Sequence, residues 1–170
     1  MHIPGLGSVT HDPRLGLYVS EPVGVPVLGG VPCRITVEAY DDDPDPEAIQ
    51  AAIRNFLAAA PGVLRAAEPY IYQYYLDCRD YAPDVRIEAP GDVWAYIQLG
   101  TEPIVSRRAY GDRRVYISVE CECAWEEEHG LEIVFEEGRR VNKIGQYDSH
   151  ATNSDAYSDP SLENVIYRGG

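Results

Sequence analysis

The fold of this 170-residue chain is decided by residues 116–135, which read YISVECECAWEEEHGLEIVF. Apolar and polar residues alternate along both halves of the stretch, and the alternation breaks at Glu128-His129-Gly130. A period of two is typical of a β-strand with one buried face, and a short break that contains glycine commonly joins two such strands. The stretch therefore predicts a β-hairpin that turns at residues 128–130.

The same alternation assigns the two faces of the first strand of this hairpin. One set of side chains is apolar and is expected to pack against helices, with Trp125 closing the end of the core. These expected core residues are Val115, Ile117, Val119, Cys121 and Cys123. The alternating residues expected to be more exposed are Tyr116, Ser118, Glu120 and Glu122.

The rest of the chain predicts an α+β fold in a single domain over residues 1–170. Residues 1–32 are rich in glycine and proline, which favours short edge strands at 15–19 and 23–27. Helical spacing of apolar residues covers 46–80, where Asp45 is a good N-cap. An antiparallel β-meander of four or five strands, packed against one or two helices, is expected over 92–146. Residues 148–170 are polar, lack periodicity and form a loop-rich tail.

Charge is the strongest global signal, because the formal net charge is −14. Such an acidic surface repels the phosphate backbone of nucleic acid, so nucleic acid is not an expected ligand. A basic protein partner, in contrast, would be attracted. No apolar run is long enough to cross a membrane and no signal peptide is recognisable, so we expect no membrane association and a cytoplasmic location.

A tight interface with a basic partner needs aromatic anchors ringed by complementary charge. The charge could come from the glutamates of residues 120–128 or from the acidic turn at 41–45. The aromatic anchors could come from the tyrosines of 70–75 or from Trp94 and Tyr96. The predicted partner-binding residues are Glu126, Glu127, Glu128, Tyr70, Tyr72, Trp94 and Tyr96.

Two metal sites are conceivable, although no cofactor is expected. Cys121 and Cys123 could join His129 and either Cys33 or Cys78 around zinc, but a C-x-C on a strand converges poorly on one ion. Alternatively, a divalent cation could be held by carboxylates and imidazoles near the hairpin tip and the tail. The candidate ligands for this second site are Glu128, His129, Asp148 and His150.

Catalytic motifs do not decide the function. Nucleophile-elbow, phosphate-loop, dinucleotide and zinc-protease patterns are missing, and Ser149, His150 and Asp155 contain the letters of a triad only at chance level. The sequence does not establish whether the protein is an enzyme, and it favours a binding role.

The hairpin also carries a resemblance. The pattern E-C-x-W-x-x-E-H-G-L-x-I-x-F over residues 122–135, with Gly138 and Gly145-x-Tyr147-Asp148, resembles a family of uncharacterised bacterial domains of unknown function. Some members of that family resemble immunity proteins of polymorphic toxin systems. The family itself implies no established activity and no catalytic residue. Together with the net charge, the missing catalytic motifs and the single-domain size, the resemblance favours an immunity protein that masks the active site of a basic, secreted toxin domain. The alternative is a metal-dependent hydrolase or small-ligand-binding domain that uses Glu128, His129 and the 148–155 loop.

Overall fold

A computed structural model of the chain describes residues 1–169, which form a large, mostly antiparallel sheet with helices packed on one face. The strands are β1 (His2–Ile3), β2 (Gly7–Asp12), β3 (Leu17–Ser20), β4 (Val23–Val25), β5 (Val31–Cys33), β6 (Thr36–Glu38), β7 (Ile97–Gln98), β8 (Ile104–Arg107), β9 (Val115–Cys123), β10 (Glu126–Glu136) and β11 (Arg140–Gly145). The helices are α1 (Pro46–Ala58), α2 (Gly62–Arg65), α3 (Glu68–Cys78) and α4 (Asn153–Tyr157), together with 3₁₀ turns of which the longest is Pro90–Tyr96.

The main sheet has the strand order β1-β2-β3-β6-β8-β9-β10-β11, and β7 also pairs with β9. Every pair in it is antiparallel except β6 with β8, which joins the N-terminal strands to the C-terminal meander. Strands β4 and β5 form a separate two-stranded sheet. The predicted α+β class and the antiparallel pairing within residues 92–146 are therefore confirmed.

Helix α1 shows how the sequence builds the core. Asp45 caps it by accepting a hydrogen bond from the backbone N–H of Ala48, which satisfies one of the free donors of the first turn. The apolar face of α1 is fully buried, and Phe56 packs edge-on against Phe135 of β10 with ring centroids 5.1 Å apart. Gly138, after β10, has a positive φ, and a side chain there would overlap the backbone of α1.

The face assignment of β9 is confirmed for the core and is wrong at one outward position. All five predicted core residues of β9 are buried, as is Trp125. Glu120 and Glu122 are exposed and Ser118 is half-buried, but Tyr116 is only 3 % exposed. Tyr116 is buried because the loop after β8 folds over it and Asp112 accepts a hydrogen bond from its hydroxyl at 2.8 Å.

The hairpin turns earlier than predicted. Glu126 pairs with Cys123, so the turn consists of Ala124 and Trp125, and residues 127–130 form a bulge before pairing resumes at Leu131. The bulge exists because the Glu126 carboxylate accepts hydrogen bonds from the next free backbone donors. Gly130 does adopt the predicted left-handed conformation, at φ +63°.

Two further segments differ from expectation. The meander, expected to begin at residue 92, begins only at Ile97, because residues 90–96 form a 3₁₀ helix. Pro90 starts this helix, and the Asp92 carboxylate accepts a hydrogen bond from the backbone N–H of Ala89. Strand β3 lies between β2 and β6 rather than at an edge, since the β1–β2 hairpin adds strands beyond it.

The tail is fastened to the body. The backbone N–H of Ile144 on β11 donates to the carbonyl of Ile166 at 2.7 Å, and the Asn153 side chain donates to the carbonyl of Val165. Among the described residues, no helix has both the length and the apolar character needed to cross a membrane.

Candidate functional site

The face of the sheet opposite α1 and α3, called the outer face below, carries the candidate site. Alternation along β9 sends Ser118, Glu120 and Glu122 to this face, while the intervening residues enter the core. Pairing between strands then brings Thr36 of β6, Ile104 of β8 and Ser118 of β9 side by side. These three residues form a continuous floor across three strands.

A cleft of about 1050 Å³ opens above this floor. Residues 95–102 form one wall, and residues 126–130 with Tyr147 form the other. The first wall approaches the sheet closely at Gly100, where an added Cβ would overlap the carbonyl oxygen of Glu120. Only glycine therefore allows the chain to lie this close to β9.

The cleft is strongly acidic. Six glutamates line it, whereas the lining contains neither lysine nor arginine. They are Glu102, Glu120, Glu122, Glu126, Glu127 and Glu128. Only Glu126 of the six belongs to a salt bridge within residues 1–169, and its partner is His129 at 3.5 Å. Like charges gathered in a concave site reinforce one another and attract cations from a distance.

The 126–130 wall is held by the side chain of Glu126. Its two carboxylate oxygens accept hydrogen bonds from the backbone N–H groups of Glu128 at 3.2 Å and His129 at 2.7 Å. Glu127, Glu128 and His129 of this wall are exposed to solvent. The tail contributes one more contact, because the N–H of Tyr147 donates to the carbonyl of His129.

The structure brings Glu128 and His129 together with Glu126, and not with Asp148 and His150. One ligand atom from each of the first three residues lies within 4.8 Å of the others. Asp148 instead accepts a hydrogen bond from the ammonium group of Lys143 and another from the backbone N–H of His150. Asp148 and His150 are therefore not part of the group of ligand atoms at His129.

The predicted zinc cysteines belong to the hydrophobic core. Cys121 and Cys123 are 3 % and 5 % exposed, although both residues also contribute to the lining of the cleft. The ligand atoms that gather at His129 come instead from Glu126 and Glu128. Burial raises the pKa of each of the two thiols to about 12, so both are neutral at physiological pH.

Of the predicted aromatic anchors, Tyr96 lines the cleft and the other three do not. Trp94 donates a hydrogen bond to Glu68 of α3 at 2.7 Å, and Tyr72 donates to backbone carbonyls of the loop that precedes residue 90. Tyr70 is 38 % exposed on α3. The side chains of α3 thus hold residues 82–96 in place, and Tyr96 lies at the end of that segment.

Sequence reasoning missed Glu102, Gly100 and Tyr147 as parts of the site. Glu120 and Glu122 could have been assigned to it, because the alternation already placed them outward on the same face. Glu102 could not, since its position depends on β7 and β8 both pairing with β9 while the residues between them loop outward. Tyr147 falls within the segment that carries the family resemblance, but nothing in that pattern indicates what it touches.

Comparison with models of protein families identifies the family of the chain. A model of a domain of unknown function (DUF6985) matches residues 5–151, so the chain belongs to this family. The predicted membership in an uncharacterised domain family is confirmed at this level. In the same comparisons, no curated protein and no solved structure matches the chain.

Proposed function

We propose that this domain binds a basic protein partner in the acidic cleft of the outer face. One observation carries the proposal: the cleft is lined by six glutamates and by no lysine or arginine. Five of these carboxylates have no salt-bridge partner among the described residues. A partner that presents several cationic side chains would supply the missing counter-charges.

The cleft also offers the apolar contact that charge alone does not provide. Exposed ion pairs contribute only about 0–1 kcal/mol each, so several pairs and some buried aromatic surface are needed for a stable complex. Tyr96 stands in one wall and Tyr147 in the other, with Ile104 in the floor between them. A cationic segment laid along the floor would contact both rings while its charged groups reach the glutamates.

In its more specific form, the proposal is that the domain is a cytoplasmic immunity protein for a secreted toxin domain. Insertion of the toxin's basic active-site residues into the cleft would mask that active site. Charge complementarity would also accelerate the encounter. This form predicts that a neighbouring gene encodes a secreted protein with a basic C-terminal domain whose toxicity the wild-type domain suppresses.

A labelled peptide of alternating glycine and arginine can stand in for the partner and tests the binding role directly. Removing three charges in the variant Glu120→Gln, Glu122→Gln, Glu127→Gln should weaken binding about threefold to a hundredfold, because each exposed pair is worth about 0.2–1 kcal/mol. Binding should also weaken as ionic strength rises from about 0.01 M to 1 M, over which the Debye length falls from about 30 Å to 3 Å.

The matched control removes three charges that lie outside the cleft. Glu21, Asp84 and Glu88 are exposed and do not line it, so the variant Glu21→Gln, Asp84→Asn, Glu88→Gln makes the net charge less negative by the same three units. Equal loss of affinity in the two variants would show that only overall charge matters, and the proposal would then fail. It would fail equally if the wild-type protein did not bind the peptide.

A second candidate function is a cation-dependent hydrolase or ligand-binding site at Glu126, Glu128 and His129. The observation in its favour is the mutual approach of their ligand atoms. The hydrogen bonds from backbone N–H groups to Glu126 already explain this approach, which makes the candidate weaker than the binding role. Calorimetric titration with Zn²⁺ and Mn²⁺ tests it: saturable binding lost in His129→Ala would support it, and no binding would exclude it.

A further inference from the structure

The acidic cleft continues into a second, smaller cavity on the outer face, with a volume of about 90 Å³. The two spaces share Ile104, Ser118 and Tyr147 in their linings, so a chain lying in the cleft passes the mouth of the cavity. Glu38 and Glu132 also line the cavity. Its volume equals that of about three water molecules, which suits one side-chain head group and excludes a longer segment.

The polar interior of the cavity is built on Glu132, which is only 1 % exposed. Ser118 donates a hydrogen bond to one carboxylate oxygen of Glu132 at 2.6 Å, and the ammonium group of Lys143 donates to the other at 2.8 Å. Lys143 also donates to Asp148 and to the carbonyl of His150. One positive charge is therefore shared between two carboxylates, and this group keeps a net negative charge.

Glu38 adds a carboxylate that has no counter-charge. It stands at the end of β6, and within residues 1–169 no cation forms a salt bridge with it and no donor forms a hydrogen bond to its side chain. Glu38 is exposed as a residue, but neighbouring atoms desolvate its carboxyl group enough to raise its pKa, as expected where no cation lies beside it. A cation in the cavity would relieve that cost.

We propose that this cavity binds the guanidinium group of one arginine of the partner, an inference that rests on the proposed function of the cleft. Arginine fits better than lysine for two reasons. Its planar fork can donate to several acceptors at once, here Glu38, Ser118 and the hydroxyl of Ser149. Its flat face can also stack on an aromatic ring, and Tyr116 and Tyr147 both line the cavity.

The peptide of alternating glycine and arginine, compared with its glycine–lysine counterpart, tests the arginine assignment. The wild-type protein should bind the arginine peptide more tightly, and Glu38→Gln should weaken that binding about fivefold while it removes the preference over lysine. The control Glu21→Gln removes an exposed charge outside both spaces and should leave the preference intact. Equal binding of the two peptides by the wild type, or an unchanged preference in Glu38→Gln, would overturn the assignment.

A second measurement separates this inference from the proposed function. N-acetyl-arginine amide is too small to span the cleft, and it should shift the backbone amide resonances of Ser106, Val134 and Ser149 in the wild type but not in Glu38→Gln. These three residues line the cavity and not the cleft. If these shifts occur and the long peptides do not bind, the cavity assignment stands and the proposed function fails. If the arginine peptide binds but the shifts are missing, the cleft binds cations and the cavity assignment is wrong.

Discussion

Replacement of Lys143 by methionine should be among the most damaging single changes in this domain. Lys143 is the only lysine of the chain, and both it and Glu132 are 1 % exposed. Its ammonium group donates to Glu132, to Asp148 and to the carbonyl of His150, so it joins the sheet to the first residues of the tail. Methionine keeps an unbranched apolar side chain one atom shorter than that of lysine, and it donates no hydrogen bond.

The expected cost follows from what the substitution leaves behind. Glu132 would remain buried with no cation beside it, and a buried ion pair that loses one partner typically costs about 3–5 kcal/mol. Domains of this size lose about 2–4 °C of melting temperature per kcal/mol, so Lys143→Met should lower the melting temperature by about 6–20 °C. That loss is a large share of the roughly 5–15 kcal/mol by which a typical domain is stable.

Urea unfolding followed by circular dichroism measures this cost against two controls. Arg140→Met removes a cation from the same strand, but Arg140 is exposed and its partner Glu136 keeps Arg114, so the loss should stay below about 1 kcal/mol. The double variant Lys143→Met, Glu132→Gln also removes the buried, unpaired charge of Glu132 and should recover part of the stability. A loss below about 1 kcal/mol in Lys143→Met, with no recovery in the double variant, would refute this account of the buried pair.

Two other predictions concern ionisable groups. Hydrogen bonds from the Arg108 guanidinium hold the pKa of Asp155 and of Glu163 below their ordinary values. The stability that these ion pairs contribute is therefore present above the unfolded-state pKa of about 4, and it is lost as the pH falls through the lower folded-state pKa values. Urea midpoints measured across that acidic range should fall, and Glu163→Gln should fall less steeply; an identical slope would contradict the assignment. For Cys121 and Cys123, whose pKa burial raises to about 12, iodoacetamide at about pH 8 should label the unfolded protein but not the native one, as mass spectrometry would show. Rapid native labelling would contradict their burial.

How much the sequence could predict depends on whether local or cross-strand contacts decide a feature. The alternation in β9 and the helical spacing in α1 are local, and both predict the core faces correctly. The early hairpin turn was missed because the Glu126 side chain accepts hydrogen bonds from the backbone N–H groups of Glu128 and His129, and these bonds compete with simple strand pairing. The start of the meander was predicted too early for a similar reason, since Pro90 and Asp92 outweigh the alternation that follows them.

The candidate site was less predictable than the fold because it is assembled across strands. Glu120 and Glu122 share a face by periodicity, but Glu102 and Glu38 join them only through the pairing of β6, β8 and β9. Lys143 gave no sign of its role, since a lone lysine in sequence is normally a solvated surface residue. Its burial follows from the way the tail crosses the outer face.

The carboxylates near the tail have salt-bridge partners, whereas several carboxylates of the cleft have none, and this difference supports a binding role for the cleft. Towards the tail, carboxylates form salt bridges with cations: Lys143 pairs with Glu132, and Arg108 pairs with Asp155. In the cleft, Glu120, Glu122 and Glu127 have no salt-bridge partner among the described residues.

Unmatched like charges repel one another and lower the stability of the folded state, so a cleft kept for binding should be suboptimal for folding. The variant Glu120→Gln, Glu122→Gln, Glu127→Gln should therefore unfold at the same or higher urea concentration than the wild type, even though it binds the arginine peptide more weakly. Neutralising exposed charges that only repel one another should not reduce the free energy of unfolding. If the triple variant instead lost more than about 1 kcal/mol of stability, these glutamates would be shown to stabilise the fold, and the idea that the cleft is kept for binding would be contradicted.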